Sequence, residues 1–419
     1  MKKGVSTGRK MCFVLFLLFV TVVLAGISTA LGPADISVWD IYFAILHRFF
    51  PDHFESRGLA EVIVWNLRLP RILMGIGAGI ALGLAGSMMQ WALRNPLACP
   101  YTLGISSAAA FGTPLAIILI FGRVSHRIEL FVIGTVLALS LIATFIILNV
   151  SRRRWATPER ITLVGIALII FFSTATIVVP TVLSGCGFET LAAMLLKIFS
   201  GGMTVTIAIL IATSVILAVS GRRLVTPERI VLAGVALMLL FGAITTLLQF
   251  IAGQGVSYIA PIAIAILGDL GIFGDHLGMA SWDGVICVYT MLACCIPLLL
   301  LIFLLSLGGM SIRHIRILAM VAASLLVAIA VYFTGSIGFV GLMAPYFCRV
   351  AIGEDYRFVI PASGLFGAIL LIGADIVARM VIAPLSIPVG MVTALMGAPL
   401  FIYLLIKMTT KKIAAGDGM

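Results

Sequence analysis

The chain has 419 residues, of which 62% are hydrophobic and only 10% charged, against roughly a quarter charged in an ordinary soluble domain. This excludes a soluble globular enzyme and describes an integral membrane protein, helical rather than barrel-like, because its apolar runs are continuous and a spanning backbone must satisfy its own polar groups. The formal net charge of +11 does not describe a nucleic-acid reader, since no polar face gathers the Lys and Arg residues.

In chain order, Lys2, Lys3, Arg9 and Lys10 precede an apolar run over 11–31 that ends near Ser28, Thr29 and Ala30. The pattern resembles a signal peptide, but the run is long for a cleaved one and predicts an uncleaved first span. Further runs predict spans at 72–93, 104–122, 130–150, 161–183, 203–219, 230–252, 284–305, 317–334, 338–352, 359–380 and 387–406, twelve in all. Each satisfies or approaches the length of about 20 residues that a bilayer core requires. The tenth is short and is expected to be tilted, broken or shielded.

With a cytoplasmic N-terminus and alternating sides, the inside loops carry Arg94, Arg152 to Arg154, Arg222, Arg223, Arg313, Arg316, Arg349, Arg357 and the tail Lys407, Lys411 and Lys412. Every strong basic cluster then obeys the positive-inside rule, which places both termini in the cytoplasm. The segment between the first two spans is the exception, for it falls outside yet holds Arg48, Arg57, Arg68 and Arg71.

Within the second span Gly75, Gly79 and Gly83 recur every four residues, so one helix face lets another backbone approach, which is how helices associate in lipid. Either static packing or a moving seam in a transporter fits that face. "RNPLACP", Arg94 to Pro100, then makes a turn in which prolines remove donors and Asn95 starts the bend. "TPERITLVGIALII" at 157–170 returns as "TPERIVLAGVALML" at 226–239, a repeat of two spans. In each copy Thr157 or Thr226 can cap, Pro158 or Pro227 suits the first turn, and Glu159 or Glu228 suits the helix dipole.

Asp375 lies inside an apolar run, where an ionisable group is a functional suspect. Pairing with Arg379 one turn away and a proton site both remain open. The seven cysteines show no ligand spacing and read as small core residues. Asp269, Asp275 and His276 read as solvated loop residues, so neither metal nor cofactor is expected. With no nucleophile and base, no HExxH and no phosphate loop, the chain is not expected to be an enzyme.

"LRLPRIL" with "GAGIALGLAGSMMQWALRNPLACPYTLGISSAAAFG", then "GSIGFVGLMAPYFCRVAIGEDYR" and "GADIVARMVIAPLSIPVGMVTALMGAPLFIYLLIK", resemble the signature of the FecCD or BtuC-like permease family. These are the membrane subunits of ABC importers for iron-siderophores, haem and cobalamin. The resemblance covers nearly the whole chain apart from the repeat. It implies a prokaryotic inner-membrane protein of polytopic all-α BtuC-like fold, a single transmembrane domain over 1–419. Ten family helices are joined by an inserted pair at 157–225, between an N-terminal part at 1–156 and a C-terminal part at 226–419. It further implies a homodimer or paired homologous permease, lipid around it, cytoplasmic ABC ATPase subunits and an external substrate-binding protein.

By the same resemblance Arg68, Arg71 and Arg379 dock the binding protein, while Asn95 and Leu97 narrow the cytoplasmic end of the pathway. The family's ATPase-coupling stretch is shortened here to "SLGGMSIRHIR", leaving Ser306, Leu307, Gly308 and Gly309. That departure keeps an alternative open: an ATP-uncoupled secondary transporter or relic that retains the permease fold, with Asp375 as a proton carrier.

Overall fold

The computed structural model describes residues 6–32, 36–53, 58–120, 128–153, 157–183, 289, 312–383 and 387–414. The expected spans at 203–219 and 230–252, all but Tyr289 of 284–305, the second TPER copy, the 265–278 loop and Ser306 to Gly309 lie outside the described residues. Among the described residues all regular structure is helical.

The elements are α1 (Thr7–Ala30), α2 (Val38–Phe49), α3 (Gly58–Ile63), a π-helical turn (Val64–Arg68) leading into α4 (Leu69–Leu93), α5 (Ile105–Ile120), α6 (Ile128–Ser151) and α7 (Pro158–Leu183). After the undescribed stretch come α8 (Ile312–Thr334), α9 (Val340–Ile352), α10 (Tyr356–Met380) and α11 (Val389–Ala414). Among the described residues, five helical stretches are long and apolar enough to cross a bilayer: α1, Ala60–Leu93, Phe131–Ser151, α8 and α10. α9 is short, as its sequence suggests, and follows a break at Gly335 to Phe339 where Gly335 and Phe339 take φ of 68° and 64°. All five residues of that break are buried, which agrees with irregular backbone being tolerated at membrane depth only when protein shields it.

Pro70 explains the π turn. It has no N–H to return to the carbonyl four residues back, and the helix admits one extra residue there, with Leu69 N–H bonding Val64 O instead. The turn delivers Arg68 and Arg71 to the start of α4.

α4 is the central helix. It packs most extensively on α10 and also touches α8 and α9, while α5 lies between α6 and α7. α1 runs parallel to α10 and is joined to it at both ends. Lys10 Nζ meets Asp355 Oδ2 at 2.8 Å at one end, and Arg379 Nη1 donates to Leu31 O at 2.9 Å at the other. Much of the remaining surface of α1 (Leu15, Phe16, Phe19, Val22) is exposed and apolar, as a lipid-facing helix requires. α6 and α8 are tied by the Thr144 and Ser324 hydroxyls, a polar link of the kind that adds to packing between helices in lipid.

Candidate functional site

The glycine face of α4 is a backbone-to-backbone seam. A Cβ on Gly79 would lie 2.5 Å from Ala368 Cα and 2.6 Å from Gly367 O of α10. One on Gly83 would overlap the Ser363 carbonyl, and one on Gly86 the Gly341 carbonyl of α9. The reciprocal holds for Gly367, whose Cβ would run into the Gly79 carbonyl. Gly75 is buried on the same helix.

At the α4 C-terminus Arg94 adopts a left-handed φ of 50°, and the chain turns through the RNPLACP segment. Asn95 organises that turn. Its Oδ1 accepts from Leu97 N–H at 3.0 Å, while Nδ2 donates to Pro158 O at 2.9 Å and to Thr162 Oγ1 at 3.1 Å. Thr102 closes the knot by donating to Leu97 O at 2.9 Å and accepting from Cys99 N–H at 3.0 Å. Both Asn95 and Leu97 are fully buried; Leu97 sits in a core with Cys99, Phe339 and Leu342. Burial pushes the Cys99 thiol up from its ordinary value and the Tyr101 phenol up to about 12, so both stay neutral at any physiological pH. The first TPER copy, α7, is thus fastened to this turn, and Gly165 admits the backbone of Thr102 and Leu103.

A small cleft beside the turn is lined by Tyr101, Ser107, Ala110, Ser173, Thr176 and Ser336. Among the described residues the buried Ser336 hydroxyl has no hydrogen-bond partner. The cleft therefore presents neutral hydroxyls where α5, α7 and the α8–α9 break converge.

At the opposite end of α4 the three arginines of the sequence reading come together. Asp375, 1% exposed, accepts from Arg71 Nε at 2.8 Å through Oδ1 and from Arg379 Nε at 2.9 Å through Oδ2. Arg379 also donates to Leu31 O at 2.9 Å and Ser28 Oγ at 2.7 Å. Arg68 Nη1 donates to Thr29 O at 2.8 Å, with Ala30 O at 3.3 Å. The last turn of α1 leaves carbonyls without intrahelical donors, and its dipole favours positive charge. Two guanidiniums therefore cap a helix end, and the carboxylate between Arg71 and Arg379 offsets part of their charge. Arg68 and Arg379 are 6% and 7% exposed, turned inward within the chain. The i,i+4 pairing of Asp375 with Arg379 was readable from sequence. Arg71, 304 residues away, and the carbonyls of α1 were not.

Ser306, Leu307, Gly308 and Gly309 lie outside the described residues. Among the described residues no group of three or more His, Cys, Asp or Glu is placed to hold a metal.

The FecCD transport family matches residues 17–196 and 181–407. The chain belongs to that family. This FecCD family member is 36% identical over 363 residues to an ABC transporter permease protein of Methanocaldococcus jannaschii, covering 83% of this chain and 82% of the relative. It is 31% identical over 366 residues to the vitamin B12 import system permease protein BtuC of Citrobacter koseri, covering 85% and 86%. It is 28% identical over 410 residues to the hemin transport system permease protein HmuU of Yersinia pestis, covering 94% of each. Among solved structures, one described as an inward-facing conformation of a metal-chelate type ABC transporter superposes with a TM-score of 0.57 at 20% identity, covering 95% of this chain and 99% of that one. The FecCD permease therefore has the polytopic all-α fold expected of it, and these relatives are transport permeases.

Proposed function

We propose that this FecCD permease is the membrane subunit of an ATP-driven importer of metal chelates such as iron-siderophore, haem or cobalamin. Two copies enclose the pathway, cytoplasmic ATPases power alternating access, and an external binding protein delivers the cargo. The observation that carries this reading is the family match over almost the entire chain.

The turn of Asn95 and Leu97, with α7 bolted to it, is the cytoplasmic gate in this scheme. The family match comes in two parts that meet at 181–196, inside 157–225, which supports that stretch as the added pair. Ser306 to Gly309 are the remnant of the ATPase contact. Arg71, with a side chain 15% exposed, is the member of the arginine trio best suited to meet a docked protein, and Arg68 and Arg379 support it from within. Asp375 has a guanidinium on each oxygen, which disfavours the alternative in which it carries protons.

The test is uptake into proteoliposomes holding the permease with candidate ATPase and binding-protein partners. Ferric hydroxamate, haem and cobalamin are offered with ATP inside. ATP-dependent accumulation of one of them supports the proposal. Accumulation that ignores ATP and collapses with the proton gradient overturns it.

A further inference from the structure

α2 presents three distinct faces. Ser37 caps it by accepting from Trp39 N–H at 3.3 Å, and Asp40 in the first turn with His47 and Arg48 in the last match its dipole. At about 100° per residue, Ile41, Ala44 and Ile45 form one arc, and this arc packs on Ala60, Val64 and Trp65. Trp65 Nε1 donates to Ala44 O at 3.0 Å, fixing the helix against the α3–α4 rod. Asp40 and His47 form a second, polar arc. Val38, Trp39, Tyr42, Phe43, Leu46 and Phe49 form the third, spanning about 140° and carrying no charge. Its aromatic members are open, with Trp39 71% and Phe49 65% exposed.

Tyr42 shows which way that third arc looks. A Cβ on Gly26 would lie 3.7 Å from the Tyr42 hydroxyl, and Gly26 stands four residues before the end of α1, about 6 Å back along the helix. The aromatic arc of α2 therefore faces down the flank of α1, continuous with its exposed apolar residues Val22, Val23 and Ile27. We infer that α2 is an interfacial helix whose Trp39, Tyr42 and Phe49 arc rests in the headgroup and upper acyl region of the bilayer, with Asp40 and His47 toward water. Aromatic side chains are enriched at this depth, and a helix with one apolar and one polar arc lies in the membrane plane. A soluble protein partner would meet a patch with no charge to steer or register it, so lipid is the occupant that the surface fits. The helix anchors the strap between α1 and α4, and with it the arginine-capped end of α1.

The test uses the full chain in phosphatidylcholine and phosphatidylglycerol vesicles. Nitroxide labels are placed by Trp39→Cys, Phe49→Cys and, for comparison, Asp40→Cys in a variant lacking its seven native cysteines. Labels at 39 and 49 are expected to show a several-fold higher ratio of oxygen to nickel-chelate collisions than the label at 40. Equal nickel access at all three, or shielding of 39 and 49 from both reagents by protein, overturns the inference. A second measurement needs no cysteine replacement. Brominated lipid should quench part of the tryptophan fluorescence, and Trp39→Phe, which keeps the arc apolar, should remove a measurable share. An unchanged quenched fraction overturns the inference as well.

Discussion

Replacing Gly79 by alanine tests whether the α4–α10 seam is held by direct backbone contact. The new methyl carbon would stand 2.5 Å from Ala368 Cα and 2.7 Å from Ala368 N, whereas carbon atoms rest at about 3.5–4.0 Å. The two helices must part by about 1 Å along the seam, and overpacking of this kind costs about 1–3 kcal/mol. Gly367→Ala makes the reciprocal intrusion on Gly79, so the two changes share one displacement. The double variant is expected to lose less than the sum of the single variants, with coupling of about 0.5–3 kcal/mol as for contacting residues. Gly373 on the same α10 is an internal control, since a Cβ there meets nothing within 4 Å. Gly373→Ala should be neutral or mildly stabilising by helix propensity. Equilibrium unfolding in mixed micelles, read by tryptophan fluorescence, supplies the free energies. Additive losses, or a Gly79→Ala variant as stable as Gly373→Ala, would refute backbone contact as the basis of the seam.

Three further outcomes are expected. Asp375→Asn leaves Arg71 and Arg379 sharing a neutral partner, and breaking a buried pair costs about 3–5 kcal/mol; the same unfolding assay should show it, and a stability equal to wild type would contradict the cluster. Asn95→Ala strands the buried Leu97 N–H, at about 1–3 kcal/mol, while the Pro158 carbonyl keeps the Thr162 hydroxyl; Thr162→Val, which leaves the Asn95 bond to Leu97 N–H in place, should cost only about 1 kcal/mol, and the reverse order would show that the turn is held otherwise. The Lys10 ammonium, by its hydrogen bond, holds the Asp355 carboxyl below the usual carboxylate range. A depressed pKa contributes stability that is full above the unfolded value near 4 and is lost as pH falls through the folded one. Protection of the amides at the start of α1, taken relative to their intrinsic exchange rate at each pH, should therefore be flat from neutral pH down to about 5 and fall at lower pH, and Lys10→Ala should abolish that acid step.

Apolar runs and glycine spacing made the helical membrane architecture and the tight face of α4 legible, because both are local patterns. The particular glycines at the contact, Gly79, Gly83 and Gly86, depend on where α9 and α10 cross, which no local period encodes. The Asn95 turn was visible as a break, yet its fastening to Pro158 and Thr162 spans 63 and 67 residues. The arginine motif read as an outward-facing trio, while the structure spends Arg68 and Arg379 on carbonyls at the end of another helix. No side-chain pattern announces such acceptors, since every residue carries one. α2 had a readable signal in Ser37, Asp40 and its amphipathic period, hidden by treating the 32–71 stretch as a charged external segment. The break before α9 was foreshadowed by its short apolar run, and the positive φ of Phe339 had no sequence mark.

The attachment of α1 to α10 at both ends bears on how the protein is made. α1 leaves the ribosome first, but Asp355, the partner of Lys10, follows 345 residues later. At about 5–20 residues per second, that interval lasts on the order of tens of seconds. Throughout it, of the two arginines that cap the end of α1 only Arg68 has been made, because Arg379 is synthesised later still. Insertion of the last sixth of the polypeptide is therefore the event that locks its first helix in place, and a nascent chain halted before α10 would present α1 as a loose end to the quality-control proteases of the membrane.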